Sequence, residues 1–427
     1  MTMQNKHRRS FVRQLLTGIA GTVFIPSLSA KTETTTTPQF SLNIPDNSEA
    51  FWEAFKERFV FDKGLRYFNN ASLGPSPIPV QQATTNFRAT LDAFPSKYMW
   101  GGWSDEKEIV RKKVAAVFAV SPEEIAITHN TTEGMNLIAR SFDLQAGDEI
   151  ILADHEHPSG TIPWEVWQES KGIKIIRPTL PLLPQTVDEV VAVYKKAITP
   201  RTKVISMCHI VNTNGMILPV KEVSAMAHQH DIVVAVDGAQ SSGMLAIDLH
   251  DLECDFYVAS AHKWFFSPKG ISVFYAKEAS QKYLKPLMVA RGHTDNSIRR
   301  LENYNTRNLP EYLGLGAAID FHNEIGKQKI ADRYYELKTY FLSKIDAQPN
   351  LISKTPKNDS LSCAIQTVEV LGKDVRDVKQ QLFDNYSIDT RPMTTFDLNG
   401  VRVSLGIFLT KKDIDYLVEA LVEIARA

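Results

Sequence analysis

Short runs of apolar residues alternate with amphipathic stretches from about residue 105 onward. We predict strands at 124–128, 149–153, 174–177, 203–209, 232–236, 256–259 and 272–275. Helical periodicity lies between these runs, for example at 133–141, 187–197 and 220–230. Several of the predicted strands are continuously apolar, which is typical of strands buried on both faces of a parallel sheet. The pattern therefore predicts an α/β domain with a seven-stranded, mostly parallel sheet flanked by helices.

The pattern changes after about residue 310. One long helix is predicted over 312–347, followed by strands near 362–370 and 401–405. Such a segment is typical of a smaller α+β domain that follows the large one. We therefore place the large domain at 61–311 and a small C-terminal domain at 312–427.

The first thirty residues have a different composition. They contain Lys6, Arg8, Arg9 and Arg13 but no acid, and an apolar run follows at 15–25. That run is too short for a membrane span, which needs about 18 apolar residues, so we predict an export signal over 1–30 and no stable membrane insertion. The adjacent arginines resemble a twin-arginine signal, which implies a periplasmic or other extracytoplasmic location.

A basic amphipathic leader that stays attached is the alternative interpretation of these residues. The following stretch, with four threonines in a row at 34–37, is predicted to be a flexible spacer within a linker and N-terminal arm over 31–60.

Composition excludes several classes of protein. The 427 residues are 43% hydrophobic and carry 48 Lys and Arg against 49 Asp and Glu, so no basic surface for nucleic acid is expected. Three cysteines form neither a disulfide framework nor a metal-ligand spacing, and we predict no metal site. The chain is therefore expected to be a globular enzyme or binding protein with a small-molecule ligand.

Chemically useful side chains follow two of the predicted strands. Asp237 comes directly after the run 232–236, and Lys263 follows the run 256–259 together with Ser260 and His262. Ligands of open α/β sheets bind at the carboxyl ends of the strands, so these side chains are expected at one site. Each is weak evidence alone, because a strand-end acid can simply cap a helix and a lone lysine is usually solvated.

A third feature lies after the predicted strand 124–128. Thr131 and Thr132 open a helix with hydroxyls and free backbone N–H groups, which favours an anion such as phosphate, although a plain N-cap is the commoner use. Pyridoxal phosphate needs a lysine for a Schiff base, an acid facing the ring nitrogen and an anion-binding helix terminus. The combination therefore predicts pyridoxal phosphate as the cofactor.

These motifs, in this order, resemble the class V aminotransferase superfamily. The similarity extends from the stretch 67–75, YFNNASLGP, to the stretch 401–404, VRVS. It implies the type I fold of pyridoxal phosphate enzymes. Within the superfamily the chain looks most like the isopenicillin N epimerase-like branch; other members are cysteine desulfurases, kynureninases and aminotransferases.

The resemblance implies roles for individual residues. Lys263 matches the Schiff-base lysine, Asp237 the partner of the ring nitrogen, and His157 a residue that stacks on the ring. We predict these three as the catalytic residues. The cofactor-binding residues implied by the motifs are these three with Thr131, Thr132, Asn212, Gln240, Ser260, His262 and Thr306. For His157, capping of a strand end is the alternative interpretation.

Two further residues are matched outside the sheet motifs. Thr306 matches a threonine that reaches the phosphate of the neighbouring subunit, which implies a homodimer with sites at its interface. Arg391 matches the arginine that holds a substrate α-carboxylate, a task that suits a bidentate guanidinium. Arg402 has a weaker claim, and a structural role is its alternative.

The reaction is predicted only as a class. A cysteine desulfurase needs a loop thiol near the carboxylate-binding arginine, and 391–400 contains no cysteine, while Cys208, Cys254 and Cys363 lie in or beside apolar strands. We therefore expect chemistry at the Cα of an amino acid or peptide-derived amine, either epimerase-like or aminotransferase and deaminating. The alternatives are a catalytically inactive ligand-binding relative and, less favoured, a cysteine desulfurase or lyase.

An epimerase needs a second base on the other face of the ring, and the sequence does not assign it. Tyr98, His157 and His293 are the candidates.

Overall fold

The computed structural model describes residues 48–396 and 398–427. The predicted export signal at 1–30 and nearly all of the predicted spacer lie outside the described residues and stay predictions. Within the described part of the chain, no helix combines the length and the apolar character that crossing a membrane requires.

Strands are distributed along the whole described chain. In chain order they are β1 Arg66–Tyr67, β2 Ile125–Thr128, β3 Glu149–Ile151, β4 Lys174–Ile176, β5 Thr202–Cys208, β6 Val233–Asp237, β7 Phe256–Ser260, β8 Ser272–Ala276, β9 Leu351–Ser353, β10 Ile365–Val370, β11 Ile388–Asp389, β12 Arg391–Met393 and β13 Gly400–Ser404. The strands predicted from apolar runs are all present, and their ends differ from the predicted ones by at most three residues.

The larger sheet has seven strands in the order β2-β8-β7-β6-β5-β3-β4. Only β8 runs antiparallel to its neighbours, because a short connection after β7 returns directly as a hairpin, whereas the parallel strands are joined by crossovers. The predicted seven-stranded, mostly parallel sheet is confirmed. The residues between β7 and β8 include Lys263, which places this lysine at the carboxyl edge of the sheet.

Helices pack on both faces of this sheet and around the C-terminal part. They are Glu49–Lys56, Ile78–Ala93, Pro95–Lys97, Ser104–Phe118, Thr131–Ser141, Pro158–Lys171, Val187–Ala197, Val220–His228, Leu249–Leu252, Leu309–Ile325, Lys327–Asp346, Val375–Tyr386 and Lys411–Arg426. The helix predicted at 187–197 is confirmed, and the one predicted at 133–141 begins two residues earlier, at Thr131.

The single long helix predicted over 312–347 is wrong. Two helices occupy this stretch, Leu309–Ile325 and Lys327–Asp346, and they are separated by Gly326. Gly326 has a φ of +97°, a backbone conformation that interrupts the helix and that glycine adopts without steric cost. The apolar periodicity continues on both sides of the break, which is why the pattern alone predicted one helix.

The C-terminal part forms a four-stranded antiparallel sheet in the order β12-β13-β10-β9. The smaller α+β domain is therefore confirmed. The start of the described chain packs against it, since β1 pairs with β11 and Trp52 of the first helix joins the same apolar core as Val401. The predicted boundaries at residues 61 and 312 stay predictions.

Candidate active site

Lys263 lies in the turn that follows β7 and is half-buried. The backbone of this turn is held by the segment before the helix Ile78–Ala93: the Gly74 N–H donates to the carbonyl of His262 at 2.9 Å. A Cβ built on Gly74 would lie 1.9 Å from the carbonyl oxygen of Lys263. The two backbone segments therefore approach each other more closely than a residue with a side chain at position 74 would allow. The position of the lysine is therefore fixed from outside its own strand.

Asp237 ends β6, the parallel neighbour of β7, and is buried. Its Oδ1 accepts the Ala239 N–H at 2.9 Å. Burial raises the pKa of Asp237, and the facing amine of Lys263 opposes that rise. Burial lowers the pKa of Lys263 to about 8, with Asp237 opposing the shift. The acid and the amine thus face each other across one site, as expected from their strand-end positions.

The N-terminus of the helix Thr131–Ser141 lies at the cavity and is the predicted anion-binding end of the site. Asn130 caps this helix by accepting the Glu133 N–H at 2.9 Å. The Thr131 hydroxyl lies 2.7 Å from that of Ser260, and the Thr132 hydroxyl donates to Ser159 at 3.1 Å. Hydroxyls and free backbone amides at a helix N-terminus suit a phosphate group.

One cavity of about 230 Å³ unites these groups. The predicted site residues that line it are Thr131, Thr132, His157, Asn212, Asp237, Gln240, Ser260, His262 and Lys263. This donor set fits pyridoxal phosphate: an amine and a carboxylate face each other, and hydroxyls gather at a helix terminus. The structure brings these residues together, and the individual role of each stays a prediction.

His157 lines the cavity and also begins the helix Pro158–Lys171. Its Nδ1 accepts the Ser159 N–H at 3.2 Å, so the histidine caps a helix, close to the alternative interpretation of this residue. Burial lowers the pKa of His157, which the charge of Asp237 opposes. Burial therefore favours the neutral form of this imidazole.

A second cavity of about 460 Å³ adjoins the first, and Ser72, His157, Asn212, Gln240 and Lys263 line both. Its far wall carries the two arginines that the sequence singled out. Arg391 is exposed and its Nη1 lies 3.4 Å from the Ser72 hydroxyl. Arg402 faces it across the strand pair β12 and β13, in register.

Arg402 makes more contacts at the second cavity than its weaker claim in the sequence indicated. It is buried, and it donates to the Ser72 hydroxyl at 2.7 Å, to Asn69 Oδ1 at 3.1 Å and to the Asn212 carbonyl at 3.0 Å. Burial and the neighbouring Arg391 lower its pKa to about 9. The signal in the sequence was an arginine flanked by Val401 and Val403 in an apolar strand.

Thr306 is exposed and lines neither cavity. Its loop is tied to the anion-binding end, because the hydroxyl of Tyr304, two residues earlier, donates to Glu133, which also contacts His129. The predicted contact of Thr306 with a neighbouring subunit stays a prediction.

A model of the family described as aminotransferase class-V matches residues 66–417. The chain is 29% identical to the isopenicillin N epimerase of Amycolatopsis lactamdurans over 394 residues, which are 88% of this chain and 99% of that protein. It is also 31% identical to a probable cysteine desulfurase of Halalkalibacterium halodurans over 384 residues, 84% of this chain and 92% of that protein.

Solved structures show the same fold. A mutant of C-DES with glycine covalently linked to its PLP cofactor has a TM-score of 0.78 at 23% identity, covering 86% of this chain and 99% of that one. The cysteine desulfurase CsdA of Escherichia coli has a TM-score of 0.75 at 25% identity, covering 89% and 98%. This chain therefore belongs to the class V aminotransferase family, as an enzyme with the type I fold and with pyridoxal phosphate as its cofactor.

Proposed function

We propose that the enzyme acts at the Cα of an amino acid or of a peptide-derived amine that carries a carboxylate. One observation carries this proposal: Lys263 lines both cavities, so this residue stands between the cofactor residues of the first cavity and Arg391 and Arg402 of the second. When bound, the cofactor supplies an electron sink for breaking a bond at Cα. The arrangement supports a substrate whose amino group points to Lys263 and whose carboxylate points to the arginines.

Lys263 is suited to move the proton at Cα. A pKa of about 8 leaves a substantial fraction of the amine neutral near neutral pH, so it can accept a proton and return it. The arginines fix the orientation of the substrate, and orientation decides which bond at Cα breaks. Lys263 therefore acts as the base, and Arg391 and Arg402 act in positioning.

An epimerase-like outcome is supported by two proton carriers. The titratable residues that line both cavities are Lys263 and His157, and two relatives are isopenicillin N epimerases. An aminotransferase or deaminating outcome needs Lys263 alone. This outcome is supported by the cap that His157 forms with the Ser159 N–H. The contact occupies one nitrogen of the imidazole, which makes His157 less suited to serve as the second proton carrier.

Cysteine desulfurase activity is not favoured, although several relatives carry that name. All three cysteines are buried, and burial raises the pKa of each thiol. A thiol that stays protonated is a poor nucleophile. An inactive ligand-binding role is disfavoured because Lys263 and Asp237 line the same cavity.

The reaction is tested by incubating the holoenzyme with a panel of amino acids and peptides in heavy water. Deuterium at Cα with inverted chirality identifies an epimerase, and a keto acid together with aminated cofactor identifies an aminotransferase. Lys263→Ala is the matched control and should abolish both. Turnover of cysteine to a persulfide, or no Cα exchange with any member of the panel, would contradict the proposal.

We also propose that the active unit is an exported homodimer. The exposed position of Thr306 near the anion-binding end supports contact with a second subunit. Sedimentation of the holoenzyme should give a dimer, and Thr306→Ala should weaken cofactor binding in that dimer.

Export is tested separately. Replacement of Arg8 and Arg9 by lysines should leave the protein in the cytoplasm. A monomer with full cofactor affinity would contradict the first part, and unchanged export would contradict the second.

A further inference from the structure

Glu156 is a carboxyl group to which neither the sequence motifs nor the relatives give a role. It is half-buried and lines the 460 Å³ cavity. Its Oε1 accepts the Cys208 N–H at 3.0 Å. In the part of the chain that the structure describes, Glu156 forms no ion pair, whereas the buried Glu302 and Glu149 each contact an arginine. A negative charge on Glu156 would therefore lack the cation that such groups normally require.

A second carboxyl group lies close to Glu156. A Cβ built on Gly160 would be 3.9 Å from Glu156 Oε2 and 3.9 Å from Asp237 Oδ2, so these two oxygens are at most 7.8 Å apart. The backbone also connects them, because Cys208, the partner of Glu156, pairs in register with Asp237 across β5 and β6. Two negative charges at this distance in a poorly solvated site disfavour each other.

The surroundings decide which of the two carboxyl groups holds the charge. Asp237 accepts the Ala239 N–H at 2.9 Å and faces the positive charge of Lys263 and the imidazole of His157. A carboxylate at Asp237 is thus favoured by a donor and by a cation.

The surroundings of Glu156 are the opposite. The groups that face it are the Cys208 thiol from β5, the Tyr194 hydroxyl from the helix Val187–Ala197, Asp237 from β6 and Asp154 from its own segment. None of these is a cation. Lys263, Arg391 and Arg402 line the same cavity, but among the described residues none of them forms an ion pair with Glu156. The Tyr194 hydroxyl is buried without a partner. The neutral form is therefore favoured at Glu156.

We propose that Glu156 is a positioning residue that stays a neutral carboxylic acid, so that Asp237 carries the only negative charge among the described residues that line the two cavities. This inference rests on the binding of the cofactor at the cavity of Lys263 and Asp237. Burial and the nearby Asp237 raise the pKa of Glu156 to about 8, in agreement with the geometry. The acid then keeps its proton at neutral pH and loses it in mildly alkaline solution.

The first test compares the thermal unfolding midpoint of the wild-type holoenzyme with that of Glu156→Gln from pH 5 to pH 9. The amide keeps an acceptor for the Cys208 N–H and has no proton to lose. A carboxyl whose pKa is raised from 4.5 to about 8 on folding costs stability as the pH rises between these values. The midpoint of the variant relative to wild type should therefore rise from pH 5 to pH 8 and then stay constant.

Glu149→Gln is the matched control, because Glu149 is a buried carboxyl with an arginine partner and a lowered pKa. It should be less stable than wild type across the whole range. A difference between Glu156→Gln and wild type that does not change with pH would overturn the proposal.

The second test follows the absorbance of the bound cofactor during a pH titration. The curves of wild type and Glu156→Gln should coincide below about pH 7 and separate above about pH 8, where wild type gains a negative charge beside Asp237. Curves that differ already at pH 6, or that never separate, would overturn the proposal. Asp237→Asn tests the site itself: it should weaken cofactor binding, and if it does not, the cofactor site is misplaced, independently of Glu156.

Discussion

The side-chain oxygens of Thr131 and Ser260 lie 2.7 Å apart, and this contact joins the first residue of a helix to the last residue of β7. The hydroxyls therefore hold each other at the anion-binding end of the cavity. Lys263 follows Ser260 by three residues, so the same turn carries a residue predicted to bind the phosphate and the residue predicted to attach to the cofactor.

We expect Thr131→Val and Ser260→Ala each to weaken the binding of pyridoxal phosphate to the apoprotein by about fivefold, since a net hydrogen bond contributes about 1 kcal/mol. The double variant should lose less than the product of the two effects, because each single change already breaks the mutual contact. Absorbance titration gives the dissociation constants. The exposed Ser170→Ala is the control and should bind normally; fully multiplicative losses would contradict the expected coupling.

The close approach of Gly74 to the lysine turn predicts a strong effect from a single methyl group. Gly74→Ala would place its Cβ 1.9 Å from the carbonyl oxygen of Lys263. This oxygen belongs to the backbone, which cannot move away without a cost in free energy. We expect a lower unfolding midpoint together with weaker cofactor binding. Gly160→Ala is the matched control: its Cβ would meet atoms no closer than 3.9 Å within a helix, where alanine is favoured by about 0.5–1 kcal/mol. Equal stability losses in the two variants would contradict this interpretation.

Substitutions of the two arginines of the second cavity are expected to have different effects, one on substrate binding and the other on stability. Arg391→Met removes an exposed guanidinium with one long contact, so it should raise KM for the carboxylate substrate about tenfold and leave the unfolding midpoint unchanged. Arg402→Met removes the donor to three half-buried acceptors and should cost at least about 2 kcal/mol of stability, because three hydrogen bonds of about 1 kcal/mol each are lost. Calorimetry and steady-state kinetics separate the two; a stable Arg402→Met enzyme would contradict the structural part.

The sequence predicted those parts of the site that depend on order along the chain. Asp237 and Lys263 could be found because parallel strands end at one edge of a sheet, and Thr131 because helix termini bind anions. The placement of Arg402 depends instead on register, since β12 and β13 bring it opposite Arg391. Single-chain patterns do not fix such lateral pairing.

Glu156 shows a second limit of the sequence. Its position between the flanking histidines of the stretch 155–157 suggested no chemistry of its own. That Glu156 has no ion pair among the described residues and lies near Asp237 can be seen only in the folded structure. Gly326 shows a third limit, because a glycine within continuous apolar periodicity does not reveal whether it bends or merely weakens a helix.

The altered pKa of Lys263 predicts the pH dependence of cofactor attachment. The neutral amine is the nucleophile, and burial lowers its pKa from 10.5 to about 8. At pH 7 roughly a tenth of this lysine is neutral, against about 0.03% for an unperturbed lysine. The rate constant for covalent attachment of pyridoxal phosphate to the apoprotein should therefore rise about tenfold per pH unit from pH 6, bend near pH 8 and stay constant above it.

Stopped-flow absorbance measures this rate, and Nα-acetyl-lysine is the control, whose rate should keep rising beyond pH 10. Asp237→Asn should move the bend to lower pH, because the carboxylate of Asp237 opposes the effect of burial on the amine. A wild-type rate that rises up to pH 10 would show that the amine is not desolvated. A bend that is unchanged in Asp237→Asn would show that the two side chains do not interact, although they line one cavity.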